Sequence, residues 1–523
     1  MGSAISVALS RFAPPAGGAL RARLERTWAR GWFFALLVSV WLAYAFMVSA
    51  GVADWPVYGV YHDLQADGFL AGKLSLPLVP DPHLLSAKDP YDRVNLDYWS
   101  LDASYYRGKY YIYWGPVPAL IQAAVKGLLH IHRTIGDQYL ALFFQCLAFW
   151  GGALLIERLL LRLFASKSRA LVVLGSLVFA FANPTPHAAT TASTYHTAIM
   201  AAQSFMVVGL TFAFDAVWHA GTPNARRWRL LAAGTAWGLA LASRISMLLP
   251  VALLVLLTAA AEAWPARRRG GAALLGLLWL GAPLSVVSLA LLGYNKLRFD
   301  DWLEFGNRLQ LSGMLPFRVS SIYVLPNLYT YAFRPWRASC AFPYLYQVWN
   351  MGSAAFPASF SLPADYMVLE PVIGWVLAVP FTWLIPLAFV LAPGRSAGWR
   401  RRDRAYLFCL SSAAVLASLT GLAELGLYTT TMRYLSDITF GLVLLGLLGG
   451  YGLRYHRFGT VRPGPVSGLL LVLAAATVAI GLLIGYQGYN DHFRRFNPAL
   501  DNKLVRALSV CRGPIPDPPN SPK

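Results

Sequence analysis

Apolar runs of about twenty residues alternate with short polar segments along most of the chain. The runs 31–51 and 271–293 contain no charged residue, and each is long enough to cross about 30 Å of hydrocarbon. On this pattern we predict an all-α polytopic membrane protein with about eleven spans. The predicted spans are 31–51, 138–162, 169–183, 194–218, 229–243, 246–264, 271–294, 371–392, 404–422, 434–453 and 466–486.

The shorter apolar segment 116–131 follows a tyrosine-rich stretch, 102–115. If 116–131 crossed the membrane, the later basic loops would lie on the face opposite to the basic N-terminus. If it does not cross, all of them lie inside, as the positive-inside rule requires. We therefore expect 116–131 to form an interfacial helix on the outer surface, with Lys126, His130 and His132 reaching water.

This topology places the N-terminus inside and the C-terminus outside. We divide the chain into a basic cytoplasmic tail (1–30), a transmembrane core (31–294) that includes a first outer loop (52–137), a second outer loop (295–370), C-terminal transmembrane helices (371–486) and a Pro-rich outer tail (487–523). Nine of the 24 acidic residues lie in the first outer loop, so we expect the functional residues there. The Ala-, Leu-, Gly- and Arg-rich composition hints at a bacterial source by composition alone, and we expect a multi-pass protein of the cytoplasmic (inner) membrane.

The overall composition agrees with a membrane protein. Hydrophobic residues make up 57% of the chain and charged residues 13%, with a mean hydropathy of +0.49, which is too apolar for an average soluble domain. The net charge of +20 does not indicate a nucleic-acid partner, because the basic residues are concentrated in short loops such as 267–269 and 400–404. The four cysteines fit no metal-binding spacing, but Cys340 and Cys511 fall outside the spans and could pair in an oxidising compartment.

Four stretches of the chain resemble the GT-C glycosyltransferases, in particular the branch that contains the protein O-mannosyltransferases and the lipid A aminoarabinose transferase. They are YHDLQADGFLAGKLSL (61–76), GKYYIYWGPVPALI (108–121), YNKLRFDDWLEFG (294–306) and MRYLSDI (432–438). The resemblance implies a GT-C-like bundle with two large extracytoplasmic loops that carry interfacial helices. In one respect the chain departs from the relatives with lipid A activity: they have a lysine before a Pro-Pro pair, whereas Trp114 and Gly115 precede Pro116 here.

The resemblance also implies transfer of a sugar from a polyprenyl-phosphate-linked donor to a lipid, glycan or protein acceptor on the extracytoplasmic face, with inversion. Asp63 is then the general base, because relatives carry their essential acid shortly after the first span. The alternative is that Asp63 only caps a helix. Asp67 follows one helical turn later on the same face, where it could act on Asp63, bind a metal with it or face water.

The leaving lipid phosphate needs a cation to stabilise its charge. Arg433, in the MRYLSDI stretch at the outer end of the tenth span, is the first candidate. Lys109 in the aromatic stretch is the second, and Arg244, between the fifth and sixth spans, is the third. Arg107 or an arginine of the second outer loop could also serve. An arginine at a span end can instead be a snorkelling anchor.

Aromatic and polar side chains of the outer segments and span ends are candidates for contacts with the sugar or the acceptor, since aromatic rings combine flat apolar faces with polar tips. These candidates are Asp102, Tyr105, Tyr106, Tyr111, Tyr113, Trp114, Asp67, His62, Tyr195 and His196. The alternative for the aromatic residues is an interfacial belt, and the alternative for Asp102 is a position in a turn.

The requirement for a cofactor or metal stays open at this point. A divalent metal could take part, but no ligand spacing indicates one, and the rings of His130 and His132 would point to different faces of a helix. A transporter or flippase of lipid-linked sugars, or a non-catalytic membrane scaffold, is the alternative function. The sequence shows neither the internal repeat nor the mid-span charges that a transporter would need.

Overall fold

The computed structural model describes residues 16–219, 221–263, 270–312, 318–347, 356–357, 360, 362–368, 370–392, 401–458 and 464–514. These residues are predominantly helical, with short strands paired in two-stranded sheets. The all-α class predicted from the hydrophobic pattern is therefore confirmed. The α-helices are α1 (Ala16–Ser49), α2 (Tyr61–Leu70), α3 (Pro82–Ser86), α4 (Val117–Leu129), α5 (Gln138–Leu163), α6 (Arg169–Phe181), α7 (Thr185–Thr190), α8 (Thr194–Phe214), α9 (Pro223–Ser243), α10 (Leu248–Ala263), α11 (Gly270–Phe299), α12 (Val324–Phe333), α13 (Trp375–Ala378), α14 (Ile385–Val390), α15 (Arg401–Ser418), α16 (Leu422–Leu425), α17 (Met432–Phe458), α18 (Pro465–Gln487), α19 (His492–Phe496) and α20 (Pro498–Leu508). The strands are β1 (Ser104–Tyr106), β2 (Lys109–Tyr111), β3 (Arg337–Ala338), β4 (Leu345–Tyr346), β5 (Met367–Val368) and β6 (Thr429–Thr430).

Seven helices among the described residues are long and apolar enough to cross a membrane. They are Gly31–Ser49, Gln138–Leu163, Thr194–Trp218, Ile245–Ala263, Gly276–Phe299, Met432–Tyr455 and Pro465–Gln487. Each of them coincides with a predicted span. The polytopic character of the chain is thus confirmed.

The predicted count of eleven spans is not confirmed, and the four remaining segments show why. Helix α6 has 13 residues, which is short for a crossing. The segment 371–392 is divided into α13, a 3-10 turn at Pro380–Leu384, and α14. Helices α9 and α15 begin with several arginines, so their apolar parts are shorter than the helices themselves.

The centre of the bundle is formed by α8 and α17, whose apolar spans are 94% and 89% buried. Helix α8 packs between α5 and α9, and α17 packs against α14 and α15. The contacts are tight, since Phe144 of α5 and Trp237 of α9 are completely buried. The first turns of α8 and α17 therefore continue into two of the most deeply buried helices of the described residues.

The two predicted outer loops pack together as one unit. Strands β1 and β2 form an antiparallel hairpin. The Asp102 N–H donates to the Leu311 carbonyl at 2.9 Å, and the Ser104 hydroxyl donates to the Gly306 carbonyl at 2.9 Å.

Helix α4 packs against α2 and has 13 residues, a length of about 20 Å that is too short to span. This length agrees with the prediction that 116–131 does not cross the membrane.

A glycine fixes the turn that leads from the hairpin into α4. The Gly115 N–H donates to the Ser243 carbonyl at 3.1 Å, so the turn lies directly on the end of α9. A Cβ atom at position 115 would collide with the carbonyl group of Ala242. Only glycine permits this approach, which places the neighbouring Trp114 beside the bundle.

The second outer loop and the C-terminal segment are joined covalently. Cys340 and Cys511 form a disulfide, as the sequence suggested, and Cys146 and Cys409 are free. The predicted tail 487–523 is described only to residue 514. The basic clusters at 267–269 and residue 400, and the first 15 residues of the N-terminal tail, lie outside the described residues.

Candidate functional site

Asp63 lies in the first turn of α2 and is completely buried. The helix begins at Tyr61, and its N-cap, Val60, makes no side-chain cap. One carboxylate oxygen of Asp63, Oδ1, accepts a hydrogen bond from Gln122 Nε2 at 2.6 Å and another from Lys126 Nζ at 2.9 Å. The alternative interpretation of Asp63 as a helix cap is therefore wrong. Its other oxygen, Oδ2, accepts no hydrogen bond from the described residues.

Lys126 joins the two acidic residues of α2. Its ammonium lies 2.9 Å from Asp63 Oδ1 and 2.6 Å from Asp67 Oδ1, and the Lys126 side chain is fully buried while that of Asp67 is 37% exposed. The prediction that Lys126 reaches water is wrong, because α4 turns this face toward α2 rather than toward solvent. The available signal was the pair Gln122 and Lys126, which lie one turn apart in an otherwise apolar helix.

Asp137 is a second buried carboxylate at this place, and the sequence analysis did not select it. It lies at the N-terminus of α2, near the backbone of His62 and Asp63 and the Thr194 hydroxyl, but neither carboxylate oxygen accepts a hydrogen bond from the described residues. Burial raises the pKa of Asp137 to about 7. An aspartate immediately before a long apolar helix was the only sequence signal for it.

His62 is also enclosed between α2 and α8. Its Nε2 lies 3.4 Å from the Thr194 carbonyl oxygen, and burial lowers the pKa of His62 to about 4. The imidazole is therefore neutral at physiological pH. It joins the start of α2 to the start of α8 without adding charge beside Asp63 and Asp137.

An aromatic cluster extends from α2 to the start of α8. The Trp114 ring lies 6.1 Å from the His62 ring and 4.8 Å from the Tyr195 ring, in an edge-on arrangement with Tyr195. Tyr113 packs against Trp114 at 4.2 Å. Residues that the sequence analysis selected from three separate segments are thus brought together.

Arg433 occupies the other side of Tyr195. It belongs to the first turn of α17, forms an ion pair with Glu370 and lies 4.4 Å over the Tyr195 ring. The neighbouring His196 hydrogen-bonds through Nδ1 with the Ser193 hydroxyl at 2.8 Å. The Tyr195 ring therefore contacts Trp114 of the aromatic cluster and also the mostly buried guanidinium group of Arg433.

Asp102 lies at the edge of the same cluster. Its carboxylate accepts a hydrogen bond from Gln310 Nε2 at 3.2 Å, and it is within hydrogen-bonding reach of the Tyr195 hydroxyl, which also contacts Tyr113. The residue has a positive φ of 67°, so it also occupies a turn. The turn position is thus observed, and the contact with sugar or acceptor stays a prediction.

Arg244 is held in a charged cluster between α8, α9 and α17. It pairs with Asp437 and, at 3.1 Å, with Glu424, and Gln203 donates to Asp437 at 3.0 Å. Burial, together with the neighbouring charge of Asp437, raises the pKa of Glu424. Two carboxylates thus share one arginine, and Arg244 has fewer free donors than an unpaired arginine would have.

The hairpin residues lie on the second outer loop rather than beside Asp63. The rings of Tyr106 and Tyr111 pack against Phe299 at 5.9 and 5.3 Å, and Tyr105 packs within the hairpin. Lys109 is exposed on β2. Tyr106 and Tyr111 therefore face the second outer loop, whereas Tyr105 and Tyr110 share one hydrophobic cluster with Trp114, against which Tyr113 and Tyr195 pack.

Two further cations considered for the phosphate have partners within the protein. Arg107 pairs with Asp300 at 2.7 Å on the exposed tip of the hairpin. Arg298 is buried and donates to the Ile112 carbonyl at 2.6 Å, so it supports the strand that leads to Trp114. Within the described residues, no group of three or more His, Cys, Asp or Glu side chains is arranged to hold a metal ion.

No family model matches the sequence, and no curated protein matches it either. Among solved structures, ArnT from Cupriavidus metallidurans bound to undecaprenyl phosphate is similar over 91% of this chain and 80% of that chain, with 13% identity and a TM-score of 0.47. The oligosaccharyltransferase AglB from Archaeoglobus fulgidus, in complex with an inhibitory peptide and a dolichol-phosphate, is similar over 94% of this chain and 61% of that chain, with 11% identity and a TM-score of 0.43. Both are GT-C glycosyltransferases, the superfamily that the sequence motifs resemble. At these identities and TM-scores the likeness by itself assigns no activity to this chain.

Proposed function

We propose that the protein is a multi-pass membrane glycosyltransferase of the GT-C kind. It transfers a sugar from a polyprenyl-phosphate-linked donor to an acceptor hydroxyl at the extracytoplasmic face, with inversion at the anomeric carbon. The observation that carries the proposal is the environment of Asp63. One oxygen of this buried carboxylate is held by Lys126 and Gln122, and the other has no partner among the described residues.

The reaction needs a proton acceptor on the attacking side. As the acceptor oxygen bonds to the anomeric carbon, its proton passes to Asp63 Oδ2, and the bond from the anomeric carbon to the phosphate oxygen breaks with its electron pair on the phosphate. Lys126 and Gln122 fix the orientation of the carboxylate, and Lys126 offsets its buried charge. Because Asp63 is completely buried, the acceptor reaches Oδ2 only when the residues that cover this oxygen move, while Lys126 and Gln122 stay on Oδ1.

The leaving phosphate needs a fixed positive charge, which we assign to Arg433. Its guanidinium has five N–H donors, so the ion pair with Glu370 leaves donors for two phosphate oxygens. Lys109 and Arg244 are weaker candidates, because Lys109 is exposed on the hairpin and Arg244 already serves two carboxylates. The polyprenyl chain remains in the bilayer while its phosphate reaches the first turn of α17.

The sugar lies, in this proposal, between the two charged groups and against the aromatic cluster. Trp114 and Tyr195 offer ring surface, and Asp102 and the Tyr113 hydroxyl offer polar contacts at its edge. The remaining tyrosines of the hairpin act indirectly, by packing the first outer loop on the second. This assignment keeps His62 and Asp67 as neighbours of the base rather than as sugar ligands.

The proposed outer location of this site is supported by the disulfide between Cys340 and Cys511. Disulfides persist in oxidising compartments and are rare in the cytosol. The loop containing Cys340 also carries the residues that bind the hairpin, so both loops lie on one side. We therefore propose a protein of the inner membrane with its N-terminus inside and its C-terminus outside.

Asp63→Asn tests the proposal most directly. Comparison of cell-envelope glycans with and without the gene first identifies the product, and purified protein is then assayed with the polyprenyl-phosphate donor. The variant should lose about 100- to 10,000-fold in the rate of transfer while it still folds and binds the donor, because Lys126 keeps its partner Asp67. The matched control is Asp54→Asn, an exposed acidic residue of the same loop, which should keep full activity.

The same experiment separates the alternative functions. Transfer by Asp63→Asn at the wild-type rate would exclude Asp63 as the base. A protein that moves the lipid-linked sugar across the bilayer without transferring it would be a flippase, and one that does neither would be a scaffold.

A further inference from the structure

The C-terminal segment 488–514 lies at the level where two membrane spans end. Helix α20 is tied to the end of α18 by a hydrogen bond of 2.9 Å from the Tyr486 hydroxyl to Asp501. It is tied to the end of α1 by a hydrogen bond of 2.9 Å from Asn497 Nδ2 to the Ala50 carbonyl. Since both α1 and α18 contain candidate spans that finish at these points, α20 lies at the boundary between hydrocarbon and water.

The position of α20 is fixed from the opposite side as well. The disulfide from Cys340 reaches Cys511, three residues beyond the helix, and the Phe342 N–H donates to the Ser509 hydroxyl at 3.0 Å. The Tyr344 hydroxyl donates to the Leu508 carbonyl. The helix is therefore part of the folded domain, and its outward face is presented in a constant orientation.

That outward face is basic. The exposed charged side chains of the segment are all cationic: Arg494, Arg495, Lys503, Arg506 and Arg512. Its two acidic residues are turned inward, where Asp491 accepts a hydrogen bond from Gln487 and Asp501 accepts one from Tyr486. Within the described residues, neither Lys503 nor Arg506 forms an ion pair.

Two of these cations share an open groove along α20. The groove has a volume of about 580 Å³, and the described residues that line it are Ala499, Asn502, Lys503, Arg506 and Ala507. Lys503 and Arg506 are three residues apart on a helix, so their side chains lie side by side. The small side chains of Ala499 and Ala507 leave room between the cations and the helix backbone.

We propose that this groove binds the phosphate headgroup of an anionic phospholipid in the leaflet where α1 and α18 end. Arginine matches phosphate oxygens with two parallel hydrogen bonds, and lysine adds a compact charge beside it. Basic residues at the surface of an anionic membrane attract such lipids electrostatically. The proposal is independent of the proposed function, because it uses none of the residues around Asp63.

The test uses the full-length protein in nanodiscs of phosphatidylcholine alone and of phosphatidylcholine with phosphatidylglycerol. Retained phosphatidylglycerol is counted by native mass spectrometry, and the gain in melting temperature on adding phosphatidylglycerol is measured. The double variant Lys503→Gln with Arg506→Gln should lose at least half of both effects. Its melting temperature in pure phosphatidylcholine should stay at the wild-type value, because both side chains are exposed.

Two further variants make the test decisive. Lys73→Gln with Lys88→Gln removes two exposed cations of the first outer loop and should behave as wild type. Lys503→Arg with Arg506→Lys keeps the charge and should retain the lipid. The proposal would be overturned if the double variant Lys503→Gln with Arg506→Gln retained as many phosphatidylglycerol molecules as wild type. Equal stabilisation by inorganic phosphate in pure phosphatidylcholine would also overturn it, since the groove would then be a site for free anions.

Discussion

The Lys126 ammonium lies 2.9 Å from the Asp63 carboxylate, and both side chains are fully buried. A buried carboxylate without a partner is far less stable than a buried pair, because its hydration has been lost and nothing replaces it. Replacing Lys126 should therefore damage the fold as well as the site. A loss of stability would distinguish Lys126 from a cation whose only role is to bind substrate.

We predict that Lys126→Met destabilises the protein by about 3–5 kcal/mol. Chemical unfolding in detergent micelles measures this change. The double variant Asp63→Asn with Lys126→Met removes both charges and should recover a large part of the lost stability, although it stays inactive. Equal stability of Lys126→Met and wild type would contradict the buried ion pair. Lys88→Met, at an exposed position, is the control and should change the stability by less than about 0.5 kcal/mol.

The sequence predicted those parts of the fold that depend on local properties. Length and hydropathy of a single segment are sufficient to identify long spans such as 31–51 and 466–486, and both coincide with helices. The segment 371–392 has the same hydropathy pattern, but Pro380 divides it into shorter pieces. Hydropathy summed over a window does not register such a break, which is one reason why the count of eleven spans is not confirmed.

The candidate site depends on contacts between distant segments, so the sequence predicted it only in part. Asp63, Trp114 and Arg433 were selected from motifs, and Tyr195 was selected from its place at the outer start of a predicted span; the structure brings their segments together. Lys126 was placed in water, because the sequence does not reveal that α2 covers its face of α4. The two partners are 63 positions apart, and only the packing of the two helices brings them into contact.

The stability of the protein should fall as the pH rises from about 4 to about 7, through Asp137. Its ordinary pKa is 3.8, and burial raises the pKa to about 7 in the folded protein. Between these values the folded protein holds a proton that the unfolded chain releases, so the stabilisation from protonated Asp137 is lost as pH increases. Asp137→Asn has nearly the same shape as the aspartate and stays uncharged at every pH in this range. The variant should therefore lose less stability between pH 5 and pH 8 than wild type, by about 2–3 kcal/mol. Parallel pH curves for the two proteins would show that Asp137 is ionised in the folded state.

Arg433 should affect the donor rather than the acceptor. Arg433→Gln removes the charge proposed to stabilise the leaving phosphate, so we expect a loss of about 10- to 1,000-fold in kcat/KM for the donor. Arg433→Lys should recover part of this loss, because it keeps the charge but not the paired donors. Steady-state kinetics with the donor concentration varied gives both values. The double variant Arg433→Gln with Glu370→Gln controls for the unpaired Glu370. Full activity in this double variant would assign the phosphate to another cation.

Arg244 should behave mainly as a structural residue. It neutralises Asp437 and Glu424, and Arg244→Met leaves both carboxylates without their cation. We expect a loss of stability of about 3–5 kcal/mol, which Asp437→Asn in the same chain should partly restore. Thermal unfolding of the single and double variants in micelles measures the two effects. Wild-type stability of Arg244→Met together with a raised KM for the donor would instead identify Arg244 as a phosphate ligand.

The disulfide between Cys340 and Cys511 tests both the fold and the orientation of the chain. It closes a loop across 171 positions, so Cys340→Ser should destabilise the protein by about 2–5 kcal/mol.

In intact cells, a membrane-impermeant maleimide should label Cys340 and Cys511 only after reduction, because both would lie on the outer side. Cys146 and Cys409 belong to helices of the bundle and serve as internal controls that should stay unlabelled. Labelling of Cys340 and Cys511 only after the cells are permeabilised would place these segments in the cytosol. The donor phosphate would then have to be presented on the inner face, and the proposed outer site around Asp63 would be wrong.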